Sequence, residues 1–339
     1  MKDALRARLG LAGSAAAFLV LVLVAFAIGR YPVAPGELAA LLWAKASGGT
    51  TDLPGAVEAV VFRIRGPRIL GAVLAGAALA AAGSAYQGLF RNPLVSPDIL
   101  AVSSGAALGA VLGIFLSLDA FSIQALAFVF GLAAVGAVYA VANAVRGHDP
   151  VLVLVLAGVV LGALLGSCVA LLKYLADPYN QLPAITFWLL GSLAGVTAAD
   201  VGAALPAVAL GLAPLVLLRW RMNLMALGDE EARALGVHVG RLRLAVIAGA
   251  TLMTAAVVSI AGVVGWVGLL IPHVARLIVG PDFARLLPVA VLLGAGYMLG
   301  VDTLARTMAR AEVPLGVLTA FIGTPLFIWL LATARRSWQ

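Results

Sequence analysis

The sequence predicts an all-α membrane protein of about ten transmembrane helices, and three observations carry that expectation. Of its 339 residues, 63% are apolar and only 11% are charged, with a mean hydropathy of +1.10. Apolar runs of roughly 17 to 25 residues recur about ten times, each long enough to cross roughly 30 Å of hydrocarbon as a helix. Glycines fall at four-residue spacing, Gly105, Gly109, Gly113 and Gly158, Gly162, Gly166, so that each set lies on one helix face. Such faces let membrane helices approach closely, whether for packing alone or for sliding during a transport cycle.

The expected spans are residues 9–29, 67–88, 97–116, 121–144, 151–174, 199–218, 238–261, 263–279, 286–308 and 314–333, within a single domain over residues 1–339. Lys2, Arg6 and Arg8 precede the first, but Arg30 and Tyr31 follow it without a small-residue cleavage site, so it reads as a span and not a signal peptide. The second ends at FRNPLVSPDILAVSSG, Phe90 to Gly105, a polar stretch broken twice by proline. There Pro93 pushes Asn92 toward an extended conformation, and Ser96, Pro97 and Asp98 follow as N-cap, first helical residue and first-turn acid. The third span restarts at that point. Such a re-entry suits a part positioned against a gate or a partner. The next two spans are uninterrupted apolar runs on either side of Arg146 and His148, and the sixth ends at Arg219 and Arg221. In the remaining spans, as in the sixth, prolines 206, 272, 288 and 325 are expected to kink or end helices.

With the N-terminus inside and the spans alternating, 14 of the 22 Lys and Arg fall on the inner side. The inner set is Lys2, Arg6, Arg8, Arg91, Arg146, Arg219, Arg221, Arg233, Arg241, Arg243, Arg276, Arg285, Arg335 and Arg336. The outer set holds Arg30, Lys45, Lys173 and two clusters, Arg63, Arg65, Arg68 and Arg306, Arg310. Topology and anionic headgroups account for the net charge of +7 and pI near 10.1, so nucleic acid is excluded as a partner.

Between the sixth and seventh spans, Leu227, Gly228, Asp229, Glu230, Glu231, Ala232, Arg233, Ala234, Leu235 and Gly236 read as a short helix. Acids fill its first turn, an arginine comes later and a glycine ends it. It is either a docking knob or an ordinary solvated loop helix.

Several chemistries are disfavoured. None of Lys2, Lys45 and Lys173 is followed by Ser or Thr, so there is no Walker A loop and no such ATPase site. Cys168 stands alone, which removes disulfides, zinc clusters and iron–sulfur sites. His148, His238 and His273 lie at expected inner span ends, leaving no metal-ligating pair in the membrane; no metal site is expected. Asp200 and Asp302 sit near expected span ends and form no proton-relay series, which counts against an ion-coupled secondary transporter. Ser103 and Ser104 lack a histidine at comparable depth, which counts against an intramembrane hydrolase.

Four segments together resemble a known family: IRGPRIL running on into the FRNPLVSPDILAVSSG stretch, LGDEEARALGV at 227–237, GWVGLLIPHVARLIVGPD at 265–282 and DTLARTMARAEVPLGVLTAFIGTPLFIWLL at 302–331. The chain resembles the FecCD-type permeases, the membrane subunits of ATP-binding-cassette importers for iron-siderophores, haem and cobalamin. The resemblance implies a cobalamin-importer-permease-like fold of ten helices, the type II importer architecture, in the bacterial inner membrane. It implies a homodimer or close heterodimer, two ATPase subunits inside that carry ATP and magnesium, and a periplasmic binding protein outside. No cofactor is implied on this chain. By the same resemblance, residues 229–236 match the ATPase-coupling region, Asn92, Pro93 and Leu94 the cytoplasmic gate, and Arg65, Arg68 and Arg306 the binding-protein docking arginines. Gly66 departs from the family's larger apolar residue and changes the local setting of Arg65. The implied cargo is a ferric siderophore, with haem, cobalamin and molybdate or tungstate as alternatives.

Overall fold

The computed structural model describes residues 2–29, 31–145 and 149–333. Arg30, Arg146, His148, Arg335 and Arg336, used above to orient the chain, lie outside the described residues. The chain runs α1 (Lys2–Ala27), α2 (Pro35–Ser47), α3 (Gly55–Glu58), a π-helical stretch (Ala59–Arg65) and α4 (Gly66–Leu89). A 3-10 turn (Pro97–Leu100) then leads into α5 (Val102–Phe115), α6 (Ala120–Ala144), α7 (Pro150–Leu175), α8 (Gln181–Leu190) and α9 (Ala198–Leu217). The short helices α10 (Arg219–Met225) and α11 (Asp229–Ala234) precede α12 (Val239–Ala261), α13 (Val267–Val279), α14 (Phe283–Ala305) and α15 (Leu315–Thr333).

Each of the ten expected spans overlaps a helix, but a count of ten membrane-crossing helices is not confirmed: among the described residues seven helical segments are long and apolar enough to cross a membrane. The helices α5, α13 and α15 are apolar but shorter, as is α8, which the sequence reading did not place. The span expected to start at Pro97 is divided: the 3-10 turn ends at Ala101, whose φ of 63° breaks the helical path before α5 begins. Ser96 caps nothing with its side chain, and Asp98 instead accepts a hydrogen bond from Ser103 Oγ. Residues 263–266 are likewise not helical, with Gly262 and Trp266 both at positive φ, so α13 starts at Val267. Prolines 206, 272, 288 and 325 all lie within helices and end none of them.

Pro67 has the clearest local consequence. Inside the continuous segment Gly55–Leu89 it offers no N–H, and its ring crowds the carbonyl four residues back, at Arg63. The preceding turn widens into the π-helical stretch Ala59–Arg65, which carries Arg65 to the buried side.

Burial follows residue size more than hydropathy. In the most apolar windows of Gly55–Leu89 and of α12, 78% of residues are buried, against 17% in α7, although α7 has the higher mean hydropathy of 2.7. Lipid is as apolar as leucine, so central helices are selected by close fit. A Cβ at Gly76 would overlap the Gly294 carbonyl, and one at Gly83 the Gly268 carbonyl, so α4 crosses α14 and α13 with backbones nearly touching. Gly105 and Gly109 pack in the same way against the α6 carbonyls of Phe130 and Leu126. The second glycine set is uneven: Gly158 meets the Ile99 carbonyl, Gly162 touches Ala101 Cβ at 3.6 Å, and Gly166 has nothing within 4 Å.

Candidate functional sites

Two polar assemblies stand at opposite ends of the bundle. At the end expected from the sequence to face outward, α1, α4 and α14 meet in a cluster of arginines and carboxylates. Arg68 donates from Nε to Asp302 at 2.9 Å and, bidentately, from Nη1 and Nη2 to Glu312 at 2.8 and 2.9 Å. Arg65 donates to the Phe26 and Tyr31 carbonyls, and Arg306 to the Ala25 carbonyl. Arg306 Nε lies 3.9 Å from Asp302 and has no hydrogen-bond partner. Arg68 and Arg306 therefore stand against two carboxylates, while Arg65 is held by backbone carbonyls.

This geometry corrects two sequence expectations. Arg65, Arg68 and Arg306 were expected to face outward, yet they are 4%, 9% and 8% exposed and bound within the chain. Asp302 was placed near a span end as an unremarkable acid, yet it is completely buried and serves as the hub. The reason is electrostatic: a buried guanidinium needs acceptors, and Arg68 and Arg306 find them in Asp302 and Glu312 while Arg65 finds them in the Phe26 and Tyr31 carbonyls. Arg63, outside the cluster, remains exposed.

At the opposite end the expected gate residues form a tight turn. Asn92 Oδ1 accepts from the Leu94 N–H at 2.9 Å, and Leu94 is 55% exposed. Behind the turn, buried Gln87 points its Nε2 at the carbonyls of Val95, Gly268 and Leu269 at 3.2 to 3.3 Å, while Arg276 donates to Gln87 Oε1. Gln87 thus ties the gate turn to α13. Sequence reading missed it, although a glutamine in the last turn of a largely apolar helix was a visible signal.

Beside that turn, α11 forms as expected and stops at Gly236. Its C-terminus closes with Val237 N–H on the Ala232 carbonyl and Gly236 N–H on the Arg233 carbonyl, with Gly236 at φ 82°. Ala232 is fully buried, while Glu230, Glu231 and Arg233 are exposed, and so are Leu227 and Leu235. Arg243 of α12 holds Asp229 at 2.9 Å, and Arg233 stands 3.6 Å from the same carboxylate. Asp229 is thus a strut between the surface helix and a central span, a role the sequence did not disclose.

A hydrophobic bundle whose polar groups collect at its two ends has the layout of a membrane conduit, and comparison with known proteins decides its family. Residues 17–333 match the model of the FecCD transport family. The chain belongs to the FecCD transport family. It is 38% identical over 319 residues to the molybdate import system permease MolB of Haemophilus influenzae, covering 94% of each chain. It is 43% identical over 280 residues to the cobalamin import system permease BtuC of Halobacterium salinarum, covering 82% of this chain and 75% of that one. A solved metal-chelate type ABC transporter in an inward-facing conformation superposes with a TM-score of 0.86 at 36% identity, covering 95% and 98% of the two chains. This FecCD permease is therefore a multi-pass membrane subunit of an ABC importer. The relatives differ in cargo.

Proposed function

We propose that this FecCD permease passes a metal chelate, a ferric siderophore in the first instance, from a periplasmic binding protein to the cytoplasm across the bacterial inner membrane. It acts as one of two copies around a shared path, by alternating access, and two ATPase subunits on the inner side bind and hydrolyse ATP. The observation that carries the reading is α11: a short helix with an exposed charged face, joined to the central helix α12 through Asp229 and Arg243. A partner that moves α11 moves α12 with it, and α12 packs on α4, which leads into the gate turn at Asn92, Pro93 and Leu94.

On the outer side a binding-protein carboxylate reaches Arg65, Arg68 or Arg306 only by displacing acceptors they already hold. Glu312, 28% exposed, is the acceptor most open to exchange, so docking would replace Glu312 on Arg68. Such exchanges set orientation and encounter rate more than affinity.

The test is reconstitution in liposomes with the ATPase and the binding protein, comparing uptake of ferric siderophore, haem, cobalamin and molybdate. ATP-dependent uptake of the siderophore alone is the expected result. Uptake of molybdate in its place would move the cargo to the oxyanion class, and uphill transport by the lone chain would overturn the mechanism.

A further inference from the structure

We propose that a concave pocket of about 440 Å³ at the inner end of the bundle is a binding site for the phosphate headgroup of an anionic phospholipid. Arg221 of α10, Gly236 at the end of the α11 segment, His238 just before α12 and Arg241 of α12 line it, and no acidic residue does. Unlike Arg243, which holds Asp229, the Arg221 and Arg241 side chains make no hydrogen bond or ion pair among the described residues.

Two further features call for an anion. Arg241 stands in the first turn of the 23-residue helix α12, where the unsatisfied N–H groups already carry partial positive charge, and that turn holds no acid. A cation there is unfavourable until an anion joins it. The pocket also straddles the end of one span and the start of the next. Leu218, just past α9, and Leu242 and Ala245, in the first two turns of α12, form its apolar side. Exposed Leu217 and Trp220 adjoin the lining residues Leu218 and Arg221 in the chain, and a tryptophan beside arginines is the composition favoured where headgroups sit. Apolar wall, basic rim and interfacial depth together fit a lipid whose acyl chains leave along α9 and α12.

The inner-side placement rests on the proposed orientation, but lipid retention is measured on the lone chain, with the ATPase added only in a final competition, so its failure and that of the transport reading are separate. Native mass spectrometry of the detergent-purified chain would compare retention of phosphatidylglycerol and phosphatidylcholine, with inorganic phosphate as the free-anion competitor. The wild type is expected to retain phosphatidylglycerol preferentially, and Arg221→Gln with Arg241→Gln to bind it roughly 30-fold more weakly. The pair Arg8→Gln and Arg285→Gln, which removes the same charge elsewhere, should leave retention unchanged. Arg221→Lys with Arg241→Lys should retain most of it, separating lost charge from lost fold. Equal loss in the control pair, or displacement by millimolar phosphate, would overturn the proposal. So would an unchanged Gln pair, or release of the lipid by the ATPase, which would make the pocket a protein interface.

Discussion

Replacing Asp302 by Asn tests whether the buried arginine cluster holds the outer end together. The side chain keeps its shape and loses its charge, leaving Glu312, held by Arg68, as the remaining carboxylate of the cluster among the described residues. At an effective dielectric of about 20, the 2.9 Å contact with Arg68 corresponds to roughly 6 kcal/mol of attraction and the 3.9 Å approach of Arg306 to roughly 4 kcal/mol. Against this stands the desolvation of a completely buried carboxylate, several kcal/mol that the substitution removes. The net expectation is a loss of about 3 to 5 kcal/mol, toward the lower end because Arg68 keeps Glu312. That loss should lower the midpoint of thermal unfolding by on the order of 10 °C. Cys168, the single cysteine, provides the assay: a thiol-reactive dye follows its exposure as detergent-solubilised protein is heated. A double-mutant cycle with Arg68→Met should show coupling above about 1 kcal/mol. A midpoint within about 2 °C of the wild type, or additive single effects, would refute the hub.

Further outcomes follow from the same contacts. Gly76→Ala should cost about 1 to 3 kcal/mol or more, because the new methyl meets the Gly294 carbonyl, whereas Gly166→Ala should be neutral in the same dye assay. Asp229→Asn should lower uptake per ATP hydrolysed in the complete transporter while leaving complex assembly intact, and the exchange Asp229→Arg with Arg243→Asp should recover part of it; uptake unchanged by Asp229→Asn would exclude the strut. Glu312→Gln should speed association of the binding protein at low salt, and Arg68→Glu should slow it; slower association in Glu312→Gln would show that Glu312 only stabilises the loop.

How far sequence reaches is visible in α7 and α4. Both were found as apolar runs, because satisfying every backbone group in lipid requires a helix and a helix of that length needs about 20 apolar residues. Hydropathy alone would rank α7 as the better core element, yet α4 is central and α7 peripheral. The signal for α4 lay in its glycines and alanines. The end of α11 at Gly236 was equally local, since one residue at positive φ closes the last turn. The docking arginines show the limit. Their clustering at one end could be read from the chain, but their burial could not, because Arg68 is held by Asp302 and Glu312 from 234 and 244 residues along the chain, Arg306 by the Ala25 carbonyl from 281 residues away, and Arg65 by the carbonyls of Phe26 and Tyr31. Gln87 and Arg276, 189 residues apart, are a second such pair; Asp229 and Arg243 are only 14 apart, but their contact depends on how α11 folds back on α12.

Sequence by itself determined that this chain is helical, that it crosses a membrane, where most of its segments begin and end, and which family it resembles. Tertiary structure alone decided which helices are central, which arginines are spoken for and which remain open to a partner. The bilayer offers no hydrophobic drive to bring one apolar helix to another, so those outcomes rest on close fit between small residues and on ion pairs formed across the fold.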